Sequence, residues 1–469
     1  MKKSNLIMMI FMTGAFFTFL NETLLNIALT ELMHYFEIDA PTVQWLATGF
    51  MLVMGMLMPL SASLVQWFTT RQMFIGLMSI FLIGTLIAGF SVNFPMLLAG
   101  RMIQAAGTGL LIPTIMTAML LLFEPHERGK AMGNFGLVMM FAPAIGPTLS
   151  GIIVDLLGWR WLFFVVVPFV IGSILLALRY LENVTEVTRP KIDVLSGLLS
   201  SLGVASVIYG FSAVGTSAGG FTNPVVLATI ILGTAALIIF GLRQRTLAEP
   251  MLDLAVFKYT NYSRGMVIFA VVVMAMFASN IVMPMYLQGP MMFSAKIVGM
   301  ILLPGALLNG FLSPVMGRIF DTIGPRKMII PGMLVLALVM FFYSVIHPGI
   351  SVVIFIIAHI LLMISISMIM MPSNTNALNQ LPKRLYPHGT AISNMMQPLA
   401  GAMGVSLFIT IMTSGQQKAL DGITKPTTAQ INDALTVGVH HAYWFATALV
   451  VAGLIMSLFI TRSVPPEEQ

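Results

Sequence analysis

The chain has 469 residues, of which 58% are hydrophobic and only 9% charged, with a mean hydropathy of +0.95. Soluble domains carry about 25% charged residues, so a soluble globular protein is excluded and an integral membrane protein is expected. The absence of cysteine excludes disulfides, thiolate metal sites and cysteine nucleophiles, and the net charge of +6 sits in short loops, where it reads as membrane topology rather than as a nucleic-acid surface.

A spanning helix needs about 20 apolar residues. Fourteen such segments are predicted, at 5–30, 43–66, 73–92, 95–121, 131–156, 161–181, 194–213, 224–242, 264–288, 296–316, 327–346, 350–371, 391–414 and 440–461. The first is too long for a cleaved signal and lacks a small-residue cleavage site, so it is expected to stay as a helix. The third and fourth divide near Asn93-Phe94-Pro95. With the N-terminus in the cytoplasm, eighteen Lys and Arg fall in cytoplasmic loops, among them Lys2, Lys3, Arg71, Arg128, Lys130, Arg189, Lys191, Arg326, Lys327, Lys383 and Arg384. Four fall outside: Arg160, Lys296, Lys418 and Lys425. This bias predicts a multi-pass cell-membrane protein with an even number of spans and both termini in the cytoplasm.

The first span contains Leu20-Asn21-Glu22-Thr23 and then Asn26. A carboxylate in hydrocarbon costs about 2.5–3.5 kcal/mol on the gentlest scale, and such residues usually face a cavity and carry protons, ions or substrate. At 1.5 Å per residue, Glu22 lies roughly 12 Å from the outer end of its span, and Arg101 of the fourth span roughly 9 Å from its own. The similar depths leave room for a direct or water-bridged contact between them. After the second span comes Pro59-Leu-Ser-Ala62-Ser-Leu-Val-Gln66-Trp-Phe-Thr69-Thr-Arg71-Gln72-Met73. After the tenth comes Pro314-Val-Met-Gly317-Arg-Ile-Phe-Asp321-Thr-Ile-Gly324-Pro-Arg326-Lys327-Met328. An offset of 255 aligns Pro59 with Pro314, Arg71 with Arg326 and Met73 with Met328. Each segment joins the second and third spans of a six-span half, and two such halves around a central cavity are a common transporter plan.

The second copy resembles the cytoplasmic loop motif of the major facilitator superfamily. Arg101-Met-Ile-Gln104-Ala-Ala-Gly107-Thr-Gly109 resembles its buried-arginine motif, and Gly136-Leu-Val-Met139-Met140-Phe-Ala-Pro143-Ala-Ile-Gly146-Pro147-Thr-Leu-Ser-Gly151 the motif of its antiporters. The first span is similar to the first-span motif of the fourteen-helix drug:proton antiporters, as are Gly158-Trp-Arg160-Trp161 and Glu249-Pro250-Met-Leu-Asp253-Leu. The resemblance implies an all-α membrane fold: a six-helix half over 1–190, two linker helices over 191–260 and a second half over 261–469. There are two departures from the family pattern. The first-span acid usually stands where this chain has Asn21, and one residue is about 100° of helix. The first loop copy has Gln66 and Thr69 where an acid and a glycine are usual, leaving any gate contact weaker or carried by Asp321.

Each candidate residue has a functional and a plainer reading. Glu22 is a proton carrier or cation-binding group, or else half of a static ion pair. Arg101 is its fixed counter-charge or a participant in coupling. Asp155 is a second proton site or a solvated helix end near Arg160. His359, mid-span, titrates in the cycle or is hydrogen-bonded packing. Asn21, Asn26, Gln104, Asn280, Gln288, Asn309, Asn394 and Gln397 are costly in lipid, so several should line a cavity. Met139, Met140, Met283 and Met285 are candidates for a pliable lipophilic lining. Pro143, Gly146, Pro147 and Gly151 either permit close packing or form a bendable seal between halves. Asp321, Gly324, Arg326 and Arg71 form a gate or a positive-inside anchor.

The Gly215–Gly220 loop lacks a phosphate-binding lysine, Asn183-Val-Thr185 falls on the cytoplasmic side, and His440-His441 alone is weak as a metal site. Neither enzymatic activity nor a cofactor is expected. The resemblance implies a monomeric exporter of lipophilic, often cationic compounds in exchange for protons, with the lipid bilayer as its environment. An exporter dedicated to one metabolite or antibiotic, and a non-transporting membrane sensor or lipid-interacting protein, stand as alternatives.

Overall fold

The computed structural model describes residues 3–38, 40–184, 187–188, 193–214, 220–247, 249–293, 295–423 and 426–463. Within helices, the side chains of Asn26, Met140, Pro143 and Pro147 lie outside the description.

All fourteen predicted segments are helical, and sixteen α-helices account for them: α1 (Lys3–Phe36), α2 (Ala40–Leu57), α3 (Ser61–Trp67), α4 (Thr70–Gly89), α5 (Phe94–Leu122), α6 (Arg128–Leu157), α7 (Trp161–Phe164), α8 (Val167–Tyr180), α9 (Val194–Val214), α10 (Pro224–Gln244), α11 (Thr260–Gln288), α12 (Ala295–Ile323), α13 (Arg326–Ser344), α14 (Val352–Asn379), α15 (Tyr386–Leu420) and α16 (Thr428–Ser457). Thirteen helical segments among the described residues are long and apolar enough to cross a membrane; the expected fifth span, α6, is a continuous 30-residue helix outside that set.

Two expected spans are broken. The second is interrupted by a 3-10 turn, Met58–Leu60, around Pro59, because proline lacks the N–H that a continuing helix needs. The sixth divides into α7 and α8. The boundary between α4 and α5 is set by Asn93, whose side chain accepts from the Met96 N–H at 2.9 Å, with Pro95 in the first turn. A reciprocal Thr69–Gln72 capping box starts α4, satisfying two N–H groups that a helix start leaves orphaned.

Apolar packing forms two clusters. One gathers α1–α8 with parts of α10, α11, α14 and α15; the other gathers most of α11–α16. Helix α9 packs against α10, α2 and α15. Glycines set the closest seams. A Cβ at Gly84 would lie 2.6 Å from the Gln104 nitrogen, and one at Gly100 2.7 Å from that of Ala88, so α4 and α5 touch backbone to backbone. Helices α6 and α12 run antiparallel in the same way. Gly129, Gly133 and Gly136 face Gly317, Pro314 and Ser313, and further along Phe141 meets Phe311 with ring centroids 5.4 Å apart. At the far ends of the two helices, a Cβ at Gly151 or at Gly299 would meet nothing within 4 Å.

The α9–α10 hairpin is closed at its loop-free end by Asp193, which accepts from Arg243 Nε at 2.7 Å and from the Ser196 hydroxyl at 2.7 Å. The Arg243 bond, with that of Ser196, holds the Asp193 carboxyl down at about 2. An acid whose folded-state value is depressed adds stability above its unfolded value of about 3.9 and loses it as pH falls through the folded value. Asp193→Asn should therefore lower the thermal midpoint at neutral pH, measured in detergent. The gap from wild type should shrink below about pH 4 and close near pH 2, the Asp193 value.

Candidate functional site

Two polar constellations interrupt the apolar interior. The first surrounds Arg101, which is 2% exposed. Its Nη1 donates to Gln104 Oε1 at 2.9 Å and to Asn21 Oδ1 at 3.4 Å. The Gln104 amide donates to Asn21 Oδ1 at 2.9 Å and to the Thr85 hydroxyl at 2.8 Å. Asn21 is fixed in turn by donating to the Leu162 carbonyl at 3.2 Å. The guanidinium stacks over Phe50, 4.3 Å from the ring centroid. Four long helices, α1, α2, α4 and α5, thus meet on one cation.

Glu22 lies outside this bonded set. It is half-buried and acts on Arg101 through the electrostatic field. The direct Glu22–Arg101 contact that the depths allowed is replaced by amide contacts, because the residue that points at Arg101 is Asn21, one position earlier. Burying a cation costs several kcal/mol. Hydrogen bonds to charged groups return about 1.5–3 kcal/mol each, and a desolvated cation–π contact about 2. Two amide oxygens and a ring therefore offset part of the cost of burying Arg101, without a direct carboxylate contact. Arg101 Nε is buried without a hydrogen-bond partner among the described residues.

The second constellation closes the seam between α6 and α12 at what is called here the Asp321 end. The Asp321 carboxylate accepts from the backbone N–H groups of Gly129 at 2.9 Å and Lys130 at 2.8 Å, the first turn of α6. Those are orphan donors at the positive end of a helix. Arg128, 4% exposed, donates to Asn379 Oδ1 (2.9 Å), the Tyr386 hydroxyl (3.0 Å) and the carbonyls of Leu120 (2.7 Å) and Phe123 (3.1 Å). Thr117 and Thr390 share a bond of 2.8 Å, and Ser313 donates to the Gly133 carbonyl at 3.0 Å. A cavity of about 470 Å³ beside Asp321 is lined by Glu124, His126, Phe320, Asn379 and Arg462.

The remaining candidates scatter. Gly146 packs on Thr23 of α1. Asp155 is exposed at the end of α6, and Arg160 bonds to Tyr35 and the Ser91 carbonyl rather than to it. Asn309 is buried, bonded to Ser367, and borders a small void of about 20 Å³ with Gly136 and Ser313. His359 is buried against Gly305 in the α12–α14 seam. Asn394 donates to the Thr390 carbonyl at 2.8 Å. Asn280, Met285 and Gln288 form an exposed stripe on α11, Met139 and Gln397 are half-buried, and Met283 is in the core. Gly324 has φ +79°, where glycine is favoured. Arg326 is exposed, and Arg71, also exposed, bonds to the Leu178 carbonyl and Asn183. Arg128, Asn379, Tyr386 and His388 were not expected in a site; the sequence signal was Arg128-Gly129-Lys130 at a helix start, and Gln66 had stood out as the replacement for the acid of the first loop copy.

A model of the Major Facilitator Superfamily matches residues 11–405. The chain belongs to the major facilitator superfamily. It is a multi-pass membrane transporter and not an enzyme. It is 46% identical to the lincomycin resistance protein LmrB of Bacillus subtilis over 97% of this chain and 95% of that one. Against the lincomycin resistance protein LmrB of Listeria monocytogenes, identity is 44%, covering 97% and 96%. The fold matches the human organic anion transporter MFSD10 (TETRAN) with a TM-score of 0.69 at 11% identity, covering 97% of this chain and 99% of that one. It matches the proton:xylose symporter XylE with 0.64 at 13% identity, covering 98% and 96%.

A side chain at Gly317 would collide with the Gly129 backbone. Gly317→Val is expected to hold the major facilitator seam apart at the Asp321 end. The natural chain has no cysteine, so a single cysteine at Thr117 reports this directly. It should be shielded from a membrane-impermeant thiol reagent in the otherwise unchanged protein and labelled in Gly317→Val.

Proposed function

We propose that this transporter is a fourteen-span antiporter that exports lipophilic, often cationic drugs in exchange for protons. In this reading residues 1–190 and 261–469 are six-helix halves, 191–260 supplies two linker helices, and the termini and the Asp321 end are cytoplasmic. The arrangement described is then the outward-facing one. The observation that carries the reading is Arg101, held charged by Asn21, Gln104 and Phe50 without a carboxylate contact. That leaves Glu22, the acid that shares its field, free to take and lose a proton.

The names of the LmrB relatives support drug export. They equally favour the narrower reading of an exporter dedicated to one antibiotic. Competition for transport between chemically unrelated drugs separates the two. In the proposed cycle Glu22 takes a proton from outside as drug leaves. The protonated protein turns inward, and proton release to the cytoplasm favours drug binding. The two ligands are coupled because occupancy by one opposes the other.

Glu22→Gln is expected to reach the membrane but lose efflux driven by a pH gradient imposed on vesicles. The double variant Asn21→Asp, Glu22→Gln returns the acid to the position usual in the family, against Arg101, and is expected to recover part of the drive. Full pH-driven efflux by Glu22→Gln alone would remove Glu22 from the coupling role.

A further inference from the structure

We propose, resting on the reading of this protein as an exporter of lipophilic cations, that α11 supplies an uncharged recognition face to the substrate site. On it Asn280 and Gln288 hydrogen-bond the amide or hydroxyl groups of a substrate, beside Phe277 and Met285, and so select cations that carry such groups.

The offset of 255 that relates the two loop copies runs well beyond them. It carries Pro143 and Gly146 of α6 onto Pro398 and Gly401 of α15, and Glu22 of α1 onto Phe277 of α11. The packing follows the same rule. Gly146 lies against Thr23 of α1, and a Cβ at Gly401 would lie 3.3 Å from the Phe277 ring. Helices α1 and α11 are therefore the same element of the two halves, met at the same place by corresponding partners. At that place one half presents a carboxylate and the other a half-buried aromatic ring.

Beyond Phe277, α11 turns one side to its neighbours and leaves the other open. Val282, Met283, Tyr286 and Leu287 are buried in the second apolar cluster, whereas Asn280, Met285 and Gln288 are exposed. Neither of these amides has a hydrogen-bond partner among the described residues. Asn309 and Asn394, buried in the same half, are bonded to Ser367 and Thr390. Asn280 stands about 12 Å from the end of α11 at Gln288, too deep for its short side chain to reach a membrane surface. Turned to lipid, its amide would give up water and gain no partner. Turned to a substrate, it both donates and accepts. The same separation of about 12 Å lets Asn280 and Gln288 serve two groups of one molecule. A cation drawn to Glu22 thus meets a ring and a thioether that take its hydrocarbon, and two amides that take its polar substituents.

Binding is measured on purified protein in nanodiscs at fixed pH, with no transport step. The probes are lincomycin, a basic amine with an amide and sugar hydroxyls, and tetraphenylphosphonium, a lipophilic cation with no hydrogen-bonding group. The double variant Asn280→Leu, Gln288→Leu should weaken lincomycin about tenfold or more, the loss of two ordinary hydrogen bonds. Tetraphenylphosphonium should stay within about twofold, which also shows that the variant is folded. The natural chain has no cysteine, so Asn280→Cys reports its own surroundings. It should react with a membrane-impermeant thiol reagent, and saturating lincomycin should slow the reaction. Equal loss of both probes in folded protein, no loss of lincomycin, or labelling of Asn280→Cys by lipid-soluble reagents alone would overturn the recognition face and leave the export reading standing. A wild type that binds neither probe would instead remove the export reading, and the face with it.

Discussion

The structure turns on how closely α6 can approach α12. Three glycines on α6 and one on α12 bring the backbones together at one end, and only there can the Asp321 carboxylate reach the first N–H groups of α6. Each such charge-assisted bond is worth about 1.5–3 kcal/mol, with about 0.3–1 more from the helix dipole. That is enough to hold one end shut and little enough to be exchanged for other contacts in a cycle. The Ser313–Gly133 bond depends on that approach, while Arg128 and Thr117 tie the same end to α14 and α15.

The Arg101 cluster answers a different constraint, the burial of a cation in hydrocarbon-like surroundings. The tight α4–α5 seam places Thr85 against Gln104, and Gln104 then presents its oxygen to the guanidinium. The charge is met at close range by dipoles and a ring, and Glu22 acts on it only through the field. An Arg–carboxylate pair would lose its main partner each time the acid took a proton. The one-residue displacement of the acid thus leaves the cluster that holds four helices together without a direct carboxylate bond.

The membrane class, the helical segments and the repeat were legible because they rest on composition, length and spacing. Glu22 and Arg101 were also conspicuous, as charges inside apolar segments. Their contact was not legible. A depth estimate gives the level of a residue but not its facing, and 100° of helix separates Asn21 from Glu22. The seam contacts were hidden for another reason. Gly129, Gly133 and Gly317 look like ordinary membrane-helix glycines until two distant segments are brought together, and Arg128 reads as one more positive-inside charge although its guanidinium is buried. Gln66 was marked by its place in the repeat, but its partner His388 is 322 residues away and nothing local points to it.

The two loop copies have the same place in the fold and different chemistry, which bears on how the two halves part. A rigid separation would stress both joints at once. An ion–dipole joint at Asp321 and an uncharged joint at Gln66 do not respond alike to salt, since screening acts on net charge. The acid lost at Gln66 is therefore not simply a weakened gate. It leaves one half fastened by a carboxylate on helix N–H groups and the other by an uncharged amide against His388.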